Sequence, residues 1–148
     1  MDLVARAQSI VRAQPEAVFQ AFVDPAKMSQ YWFHRKDDGM KAGESVMFYL
    51  GDGEGAFGFE AKVLELTLNS LIHIQWGDEN GWTDVKWTLE ETESGDTKLT
   101  IEETGFTGSD ADVIARALDS TGGFNQVIIA AKAFIEHGAA INVVADHA

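Results

Sequence analysis

The C-terminal part of the chain carries the longest hydrophobic pattern, from Thr121 to Asp146. Apolar residues recur there every three or four positions, which is the spacing of one face of an α-helix. Polar residues such as Lys132 and Glu136 fall on the other side of that helix. We therefore predict one long amphipathic helix, which must bury its apolar face against the rest of the chain. The apolar positions are Phe124, Val127, Ile128, Ala131, Phe134, Ile135, Gly138 and Ile141.

Upstream, six segments alternate between apolar and polar residues. This period of two predicts β-strands with one covered side and one solvent-facing side. Short turns join the last five segments, as expected for antiparallel hairpins, and Asn80-Gly81 is the strongest hairpin signal among them. We predict strands over residues 2–13, 44–50, 56–66, 71–76, 82–91 and 97–103.

Three short helices are predicted from their start signals. Pro15 begins one that ends at Val23, and Asp24-Pro25 begins a second that ends near Phe33. Ser109 caps a third over residues 110–118, which Gly122-Gly123 separates from the long helix. The fold class that we predict is α+β: an antiparallel sheet of about six strands, two short helices after the first strand and a long C-terminal helix. We expect residues 1–148 to form a single domain.

Composition excludes several classes of function. The formal net charge of −13 argues against nucleic acids and anionic membranes as main partners. The absence of cysteine excludes disulfides and thiolate chemistry. No apolar run is long enough for a signal core or a membrane span, so we expect a cytoplasmic protein with no membrane insertion. A homodimer is left open, because exposed sheet edges can pair.

Three clusters of residues, in this order and spacing, resemble the activator of heat-shock protein 90 ATPase homologue family. This family belongs to the START-like (SRPBCC) superfamily, with lipid-transfer START domains, the birch pollen allergen and polyketide cyclases. The resemblance implies a helix-grip fold, in which the sheet wraps around the long helix and an apolar cavity lies between them. It implies no single activity, because the superfamily includes carriers, cyclases and regulators. The clusters are Ala13–Phe19 with Asp24-Pro25 and Met28–Phe33, then Gly58–Trp76, then Thr97–Phe106 with Gly122–Gly138.

Our leading hypothesis is that the implied cavity binds a small hydrophobic or amphipathic molecule. Alternation places many side chains of the strands and the long helix opposite one another, although such rings can also simply fill the core. The residues at the end of the second short helix lie near one expected mouth. The predicted ligand-binding residues are Trp32, Phe33, His34, Phe48, Phe57, Phe59, Ile74, Trp76, Trp87, Phe124, Ile128 and Phe134.

An enzyme of the cyclase or hydrolase type is the first alternative, with His34, Arg35 and Glu103 as its candidates. Glu103 shares the inward side of its strand with Leu99 and Ile101, yet we expect its carboxylate to reach solvent at the sheet edge. We expect His34 and Arg35 to form a solvated basic turn after two buried rings. Because no spacing forces an acid and a base together, we assign no catalytic residue. A co-chaperone or other protein-interaction module is the second alternative, although eukaryotic activators carry an additional N-terminal domain that is not recognisable here.

The sequence also contains a GxGxxG pattern, from Gly53 to Gly58. A dinucleotide site needs a helix after these glycines, whereas the period of two that follows predicts a strand. The four histidines lack metal-ligand spacing, and His73 is predicted to face outward. We therefore expect neither a cofactor nor a metal.

Overall fold

The computed structural model describes residues 1–51, 53–79 and 81–148, and within them the chain forms six strands and three helices. The strands make one antiparallel sheet in the order β1-β6-β5-β4-β3-β2. The strands are β1 (Ala5–Val11), β2 (Ser45–Leu50), β3 (Phe57–Thr67), β4 (Leu71–Asp78), β5 (Gly81–Glu91) and β6 (Thr97–Thr104). The helices are α1 (Pro15–Val23), α2 (Pro25–Met28) and α3 (Asp110–His137).

The long helix exists, but its predicted bounds are wrong. The helix that begins at Ser109 does not stop near Leu118; it runs without a break through Gly122-Gly123. Glycine lowers helix propensity by only about 1 kcal/mol, which tertiary packing readily overrides. The helix ends at His137 because Gly138 adopts a left-handed conformation, with φ of 66°. The predicted residues beyond it, including Ile141, therefore lie outside the helix.

The start signals of the helices are confirmed. The Asp24 side chain accepts a hydrogen bond from the Ala26 backbone N–H, with Pro25 in the first turn. Ser109 and Asp112 form a reciprocal capping box at the start of α3. The predicted end of α2 near Phe33 is wrong, because the helix stops at Met28 and turns carry the chain onward.

The sheet follows the predicted alternation, with its inner face buried and its outer face solvated. A register shift between Val63 and Glu65 interrupts the β3–β4 pairing. Strand β3 begins at Phe57 and includes Gly58, the last glycine of the GxGxxG pattern, so a strand and not a helix continues from that pattern, as predicted. Two positions in the predicted turns, Asp52 and Asn80, lie outside the described residues.

Helix α3 lies against β1 and β6 on the inner face of the sheet. Its last turns are tied to the end of β1, because Glu136 accepts hydrogen bonds from the Arg12 backbone N–H and from Lys132. Over strands β2 to β4, aromatic rings occupy the space between sheet and helix. This α+β arrangement is the helix-grip fold.

Among the described residues, no helix is both long enough and apolar enough to cross a membrane.

Candidate functional site

A cluster of aromatic rings occupies the centre of the space between sheet and helix. The Trp32 and Phe33 rings stack with centroids 4.8 Å apart, and Phe33 stacks on Phe48 at 5.3 Å. The Trp76 ring on β4 is nearly parallel to the Phe124 ring on α3, at 6.0 Å. The centre of the fold is therefore a packed core, and open space lies at its margins.

Several of the predicted ligand-binding side chains belong to this packed core. Phe48, Ile74 and Trp87 have no exposed surface, and Ile128 is 4% exposed. Phe134 is half-buried against the Tyr31 ring, with a centroid distance of 5.5 Å. Phe59 is half-buried beside Trp76. The remaining predicted residues lie closer to open space.

Two adjoining pockets form a groove at one mouth of the fold, which we call the mouth groove. Their volumes are about 520 and 480 Å³. His34 and Ser29 line the first pocket, whereas Trp76 and Phe124 line the second. Both pockets share a wall made by the side chains or backbone of Trp32, Phe33, Leu50, Val144 and His147. Of the predicted ligand-binding residues, the structure thus brings Trp32, Phe33, His34, Trp76 and Phe124 together here.

The segment after α3 forms the other wall of the mouth groove. Val143 and Val144 are half-buried and pack against the aromatic core. A turn holds this segment in place: the Asp146 backbone N–H donates to the Asn142 carbonyl, and His147 Nδ1 contacts the Val144 carbonyl at 2.6 Å. This wall was not predicted, because apolar residues continue at helical spacing past Gly138 and therefore indicate a longer helix.

Exposed apolar side chains surround the mouth groove. Leu50 and Phe57 are paired across β2 and β3, and they are 52% and 66% exposed. Leu118 on α3 is 68% exposed. Phe57 is predicted to face the long helix, but most of its side chain is exposed to solvent. Phe57 has the predicted parity but contributes to an open rim.

Arg35 is not part of a solvated basic turn, and that expectation is wrong. Its side chain has no exposed surface and forms a two-point ion pair with Asp37, at 2.6 and 3.0 Å. The guanidinium also donates to the carbonyls of Phe22 and Val23 at the end of α1, at 2.7 and 3.3 Å. Arg35 thus closes the C-terminal end of α1 and joins it to the following loop.

Glu103 does not reach solvent at a sheet edge, so that expectation is also wrong. Strand β6 lies between β1 and β5, and Glu103 points inward and is 4% exposed. Its Oε2 accepts hydrogen bonds from the Thr83 hydroxyl at 2.5 Å and the Trp76 indole N–H at 3.2 Å. Its Oε1 is buried without a partner. Sequence reasoning missed Thr83, although it shares the inward parity of Val85 and Trp87.

The three residues proposed for catalysis are not gathered in one site. His34 lines the mouth groove and its backbone pairs with Tyr49, at 3.1 and 2.9 Å. Arg35 uses its guanidinium to hold the end of α1. Glu103 lines a different pocket of about 260 Å³. Their arrangement provides no acid–base pair.

Among the described residues, two groups have clearly displaced pKa values, and both are structural. Burial raises the pKa of the Tyr31 hydroxyl well above 10.0, an effect that the positive charge of Arg35 partly opposes. The hydroxyl donates to the Ala21 carbonyl at 2.7 Å. The Lys132 ammonium, followed by the Arg12 backbone N–H, lowers the pKa of Glu136.

Outward-facing His73 contacts Asp84, with Nε2 and Oδ1 2.7 Å apart on the outer face of the sheet. Its neighbours Ile72 and Ile74 are fully buried on the inner face, which confirms the predicted parity.

Solved structures share this fold over nearly the whole chain. Protein SSP2350 from Staphylococcus saprophyticus is 25% identical with a TM-score of 0.77, over 95% of this chain and 96% of that one. DynU16, a protein in the dynemicin biosynthetic locus, is 21% identical with a TM-score of 0.77, over 93% of this chain and 48% of that one. The Aha1 dimer from Colwellia psychrerythraea is 19% identical with a TM-score of 0.73, over 92% and 98%. The last two likenesses concern the fold alone.

Sequence comparison identifies the family. No curated protein matches the chain in sequence. The family described as Activator of Hsp90 ATPase homolog 1-like protein matches residues 12–130. Because this match spans well over half of the sequence and the fold agrees with it, the chain belongs to the Activator of Hsp90 ATPase homolog 1-like family.

Proposed function

We propose that this protein binds a small hydrophobic or amphipathic molecule in the mouth groove. The observation that carries the proposal is the shared wall of the two pockets, where Trp32, Phe33 and Leu50 meet Val144 of the C-terminal segment. Ligand sites in proteins are typically concave, mostly apolar and about 300–1,000 Å³ in volume. Each pocket of the groove falls in that range, at about 520 and 480 Å³.

The distribution of polar groups supports an amphipathic ligand. Trp32, Phe33 and Phe124 offer aromatic surface to the apolar part of such a molecule. Ser29, His34, Asn142 and His147 lie among the lining residues of the first pocket and offer hydrogen-bonding groups to a polar end.

The exposed rim supports a route of entry. An apolar molecule would leave water at the paired side chains of Leu50 and Phe57 before it enters the groove. The C-terminal segment would move to admit a large ligand, because a short turn and two half-buried valines, Val143 and Val144, hold it.

Binding of an apolar dye tests the proposal directly. We expect 8-anilinonaphthalene-1-sulfonate to gain fluorescence with the native protein and to quench tryptophan emission, because Trp32 and Trp76 line the groove. Leu50→Asp should weaken dye affinity at least fivefold, because it places a charge on the shared wall. An absence of dye uptake by the native protein would refute the proposal.

Leu68→Asp is the matched control. Leu68 is 73% exposed, compared with 52% for Leu50, and lies in the turn at the far end of β3. Strand β3 has 11 residues, so the two leucines lie near opposite ends of the sheet. We expect Leu68→Asp to leave dye affinity unchanged; equal losses in both variants would point to a general effect of charge.

A homodimer is a separate proposal for this chain. The fold of the Aha1 dimer from Colwellia psychrerythraea is similar to that of this protein, and β1 and β2 are the edge strands of the sheet, where strands of two copies can pair. The β2 edge is partly occupied, because His34 bridges to Tyr49 there. Light scattering after size exclusion distinguishes the monomer of 16.2 kDa from a dimer. A cytoplasmic location stays a prediction from the sequence.

A further inference from the structure

Glu103 combines three properties that set it apart from the other carboxylates described above. It is 4% exposed, it lines a pocket, and its Oε1 has no hydrogen-bond partner. A carboxylate has about four lone-pair positions, and an unsatisfied oxygen in a buried place is unfavourable by about 1–3 kcal/mol or more. Such a group calls for an explanation beyond packing.

The two donors that hold Glu103 act on one oxygen only. Thr83 on β5 and Trp76 on β4 are cross-strand partners, and both donate to Oε2. This contact fixes the rotation of the carboxyl group and leaves Oε1 available. In the part of the chain that the structure describes, no lysine, arginine or histidine lies within 4.0 Å of the carboxylate as an ion pair.

The neighbouring cation is held elsewhere. Arg116 on α3 lines the same pocket, but its guanidinium lies over the Phe106 ring at 5.6 Å. It also donates to the Thr107 carbonyl at 3.4 Å. Glu103 therefore has two neutral donors and lacks a positive partner.

The remaining lining of this pocket suits a cation with an apolar body. Three aromatic residues, Phe57, Phe59 and Trp76, are among its lining residues. Aromatic faces attract ammonium groups, and a hydrogen bond between charged groups is about twice as strong as a neutral one. The volume of about 260 Å³ suits a small molecule.

We propose that the pocket of Glu103, Thr83, Trp76 and Phe57 binds a small organic ammonium ion, with Glu103 Oε1 accepting a hydrogen bond from the ammonium group. This site is separate from the mouth groove, although Trp76 lines both. An ammonium ion at this site would supply the missing partner of Glu103 Oε1.

A pair of matched probes tests the charge requirement. We expect 2-phenylethylammonium to bind at least tenfold more tightly than 2-phenylethanol, measured by titration of the ¹⁵N-labelled full chain. The indole N–H resonance of Trp76 should shift in the amine titration, because that group donates to Glu103. Equal affinities for the two probes, or no shift at Trp76, would overturn the proposal.

Glu103→Gln should remove the preference for the amine, with a loss of at least tenfold in its affinity. Glu102→Gln is the control, since Glu102 lies next in sequence, faces outward and pairs with Arg6 at 3.2 Å. Arg116→Gln removes a competing cation and should preserve or strengthen amine binding; a weakening would contradict the proposal.

If Glu103→Gln does not fold, Phe57→Ala provides a second test. Phe57 is 66% exposed, so its removal leaves the core intact and should weaken amine binding about threefold through the lost aromatic face. Leu64→Ala, an exposed site of the same strand at 43%, should have no effect. The two proposals are decided at different residues, dye uptake at Leu50, which lines only the mouth groove, and amine binding at Glu103, which lines only the second pocket, so either proposal can fail while the other stands.

Discussion

The two charged residues that are buried in the described part of the chain, Arg35 and Glu103, are partnered in different ways. All three guanidinium nitrogens of Arg35 are engaged. They donate two hydrogen bonds to Asp37 and one each to the Phe22 and Val23 carbonyls, and one of them contacts the Met28 sulfur at 3.9 Å. Glu103 receives two neutral donors at one oxygen and none at the other.

This difference separates a structural charge from one that is open to a ligand. The groups around Arg35 come from the end of α1, from α2 and from the following loop, so the charge joins three separate segments of the chain. The groups around Glu103 come from strands that the sheet ladder already holds together. We therefore expect the sheet to tolerate the loss of the Glu103 charge, and we expect the α1–loop junction to depend on the Arg35 ion pair.

Asp37→Asn should have the largest effect, a loss of about 3 kcal/mol in the free energy of unfolding, because it leaves Arg35 buried without its counter-charge. Urea denaturation monitored by tryptophan fluorescence measures this loss. Asp38→Asn is the matched control, since its ion pair with Lys41 is exposed and should contribute less than about 0.5 kcal/mol. A similarly small loss of stability in Asp37→Asn and Asp38→Asn would mean that the Arg35 ion pair contributes as little to stability as we expect of Glu103.

Much of the fold could be predicted from the sequence, because alternation and caps are local signals. The six strands and the starts of α1, α2 and α3 follow from residues within a few positions of each boundary. The end of α3 could not be predicted in this way, because apolar residues continue at helical spacing past Gly138 and the helix is stopped there by the backbone conformation of Gly138.

The environment of the two charges could not be predicted in the same way. Whether β6 lies at an edge depends on its pairing with β1, across most of the chain. The alternation of residues along the strand predicts that Glu103 points inward, but its burial follows from this long-range pairing. For Arg35, the partners Phe22 and Val23 are backbone carbonyls, which side-chain patterns do not identify.

The partnering of Glu136 is intermediate between that of Arg35 and that of Glu103. Its side chain is 12% exposed, and one of its oxygens accepts two hydrogen bonds. Glu136→Gln tests this charge. We expect a loss of about 1 kcal/mol at neutral pH, because a charged acceptor is replaced by a neutral one. The folded-state pKa of Glu136 is lowered, so the stabilisation is fully present above the unfolded-state pKa of about 4.3. It should disappear as the pH falls through the folded-state pKa.

Thermal unfolding of the native protein and Glu136→Gln across this pH range measures the difference. Glu93→Gln, at an exposed turn position, is the control and should show no such pH dependence. A constant difference at all pH values would mean that packing, and not the carboxylate charge, accounts for the effect of Glu136.

Glu103→Gln should have the smallest effect on stability, within about 0.5 kcal/mol of the native protein or slightly favourable. The amide oxygen can still accept from Thr83 and Trp76, and the substitution removes a negative charge that has no positive partner. Urea denaturation under the conditions used for Asp37→Asn gives the direct comparison. A loss near 3 kcal/mol would mean that the sheet depends on this carboxylate as α1 depends on Arg35, and the case for Glu103 as a ligand-facing group would fall. A negligible loss, together with reduced amine binding, would assign the two buried charges to opposite roles.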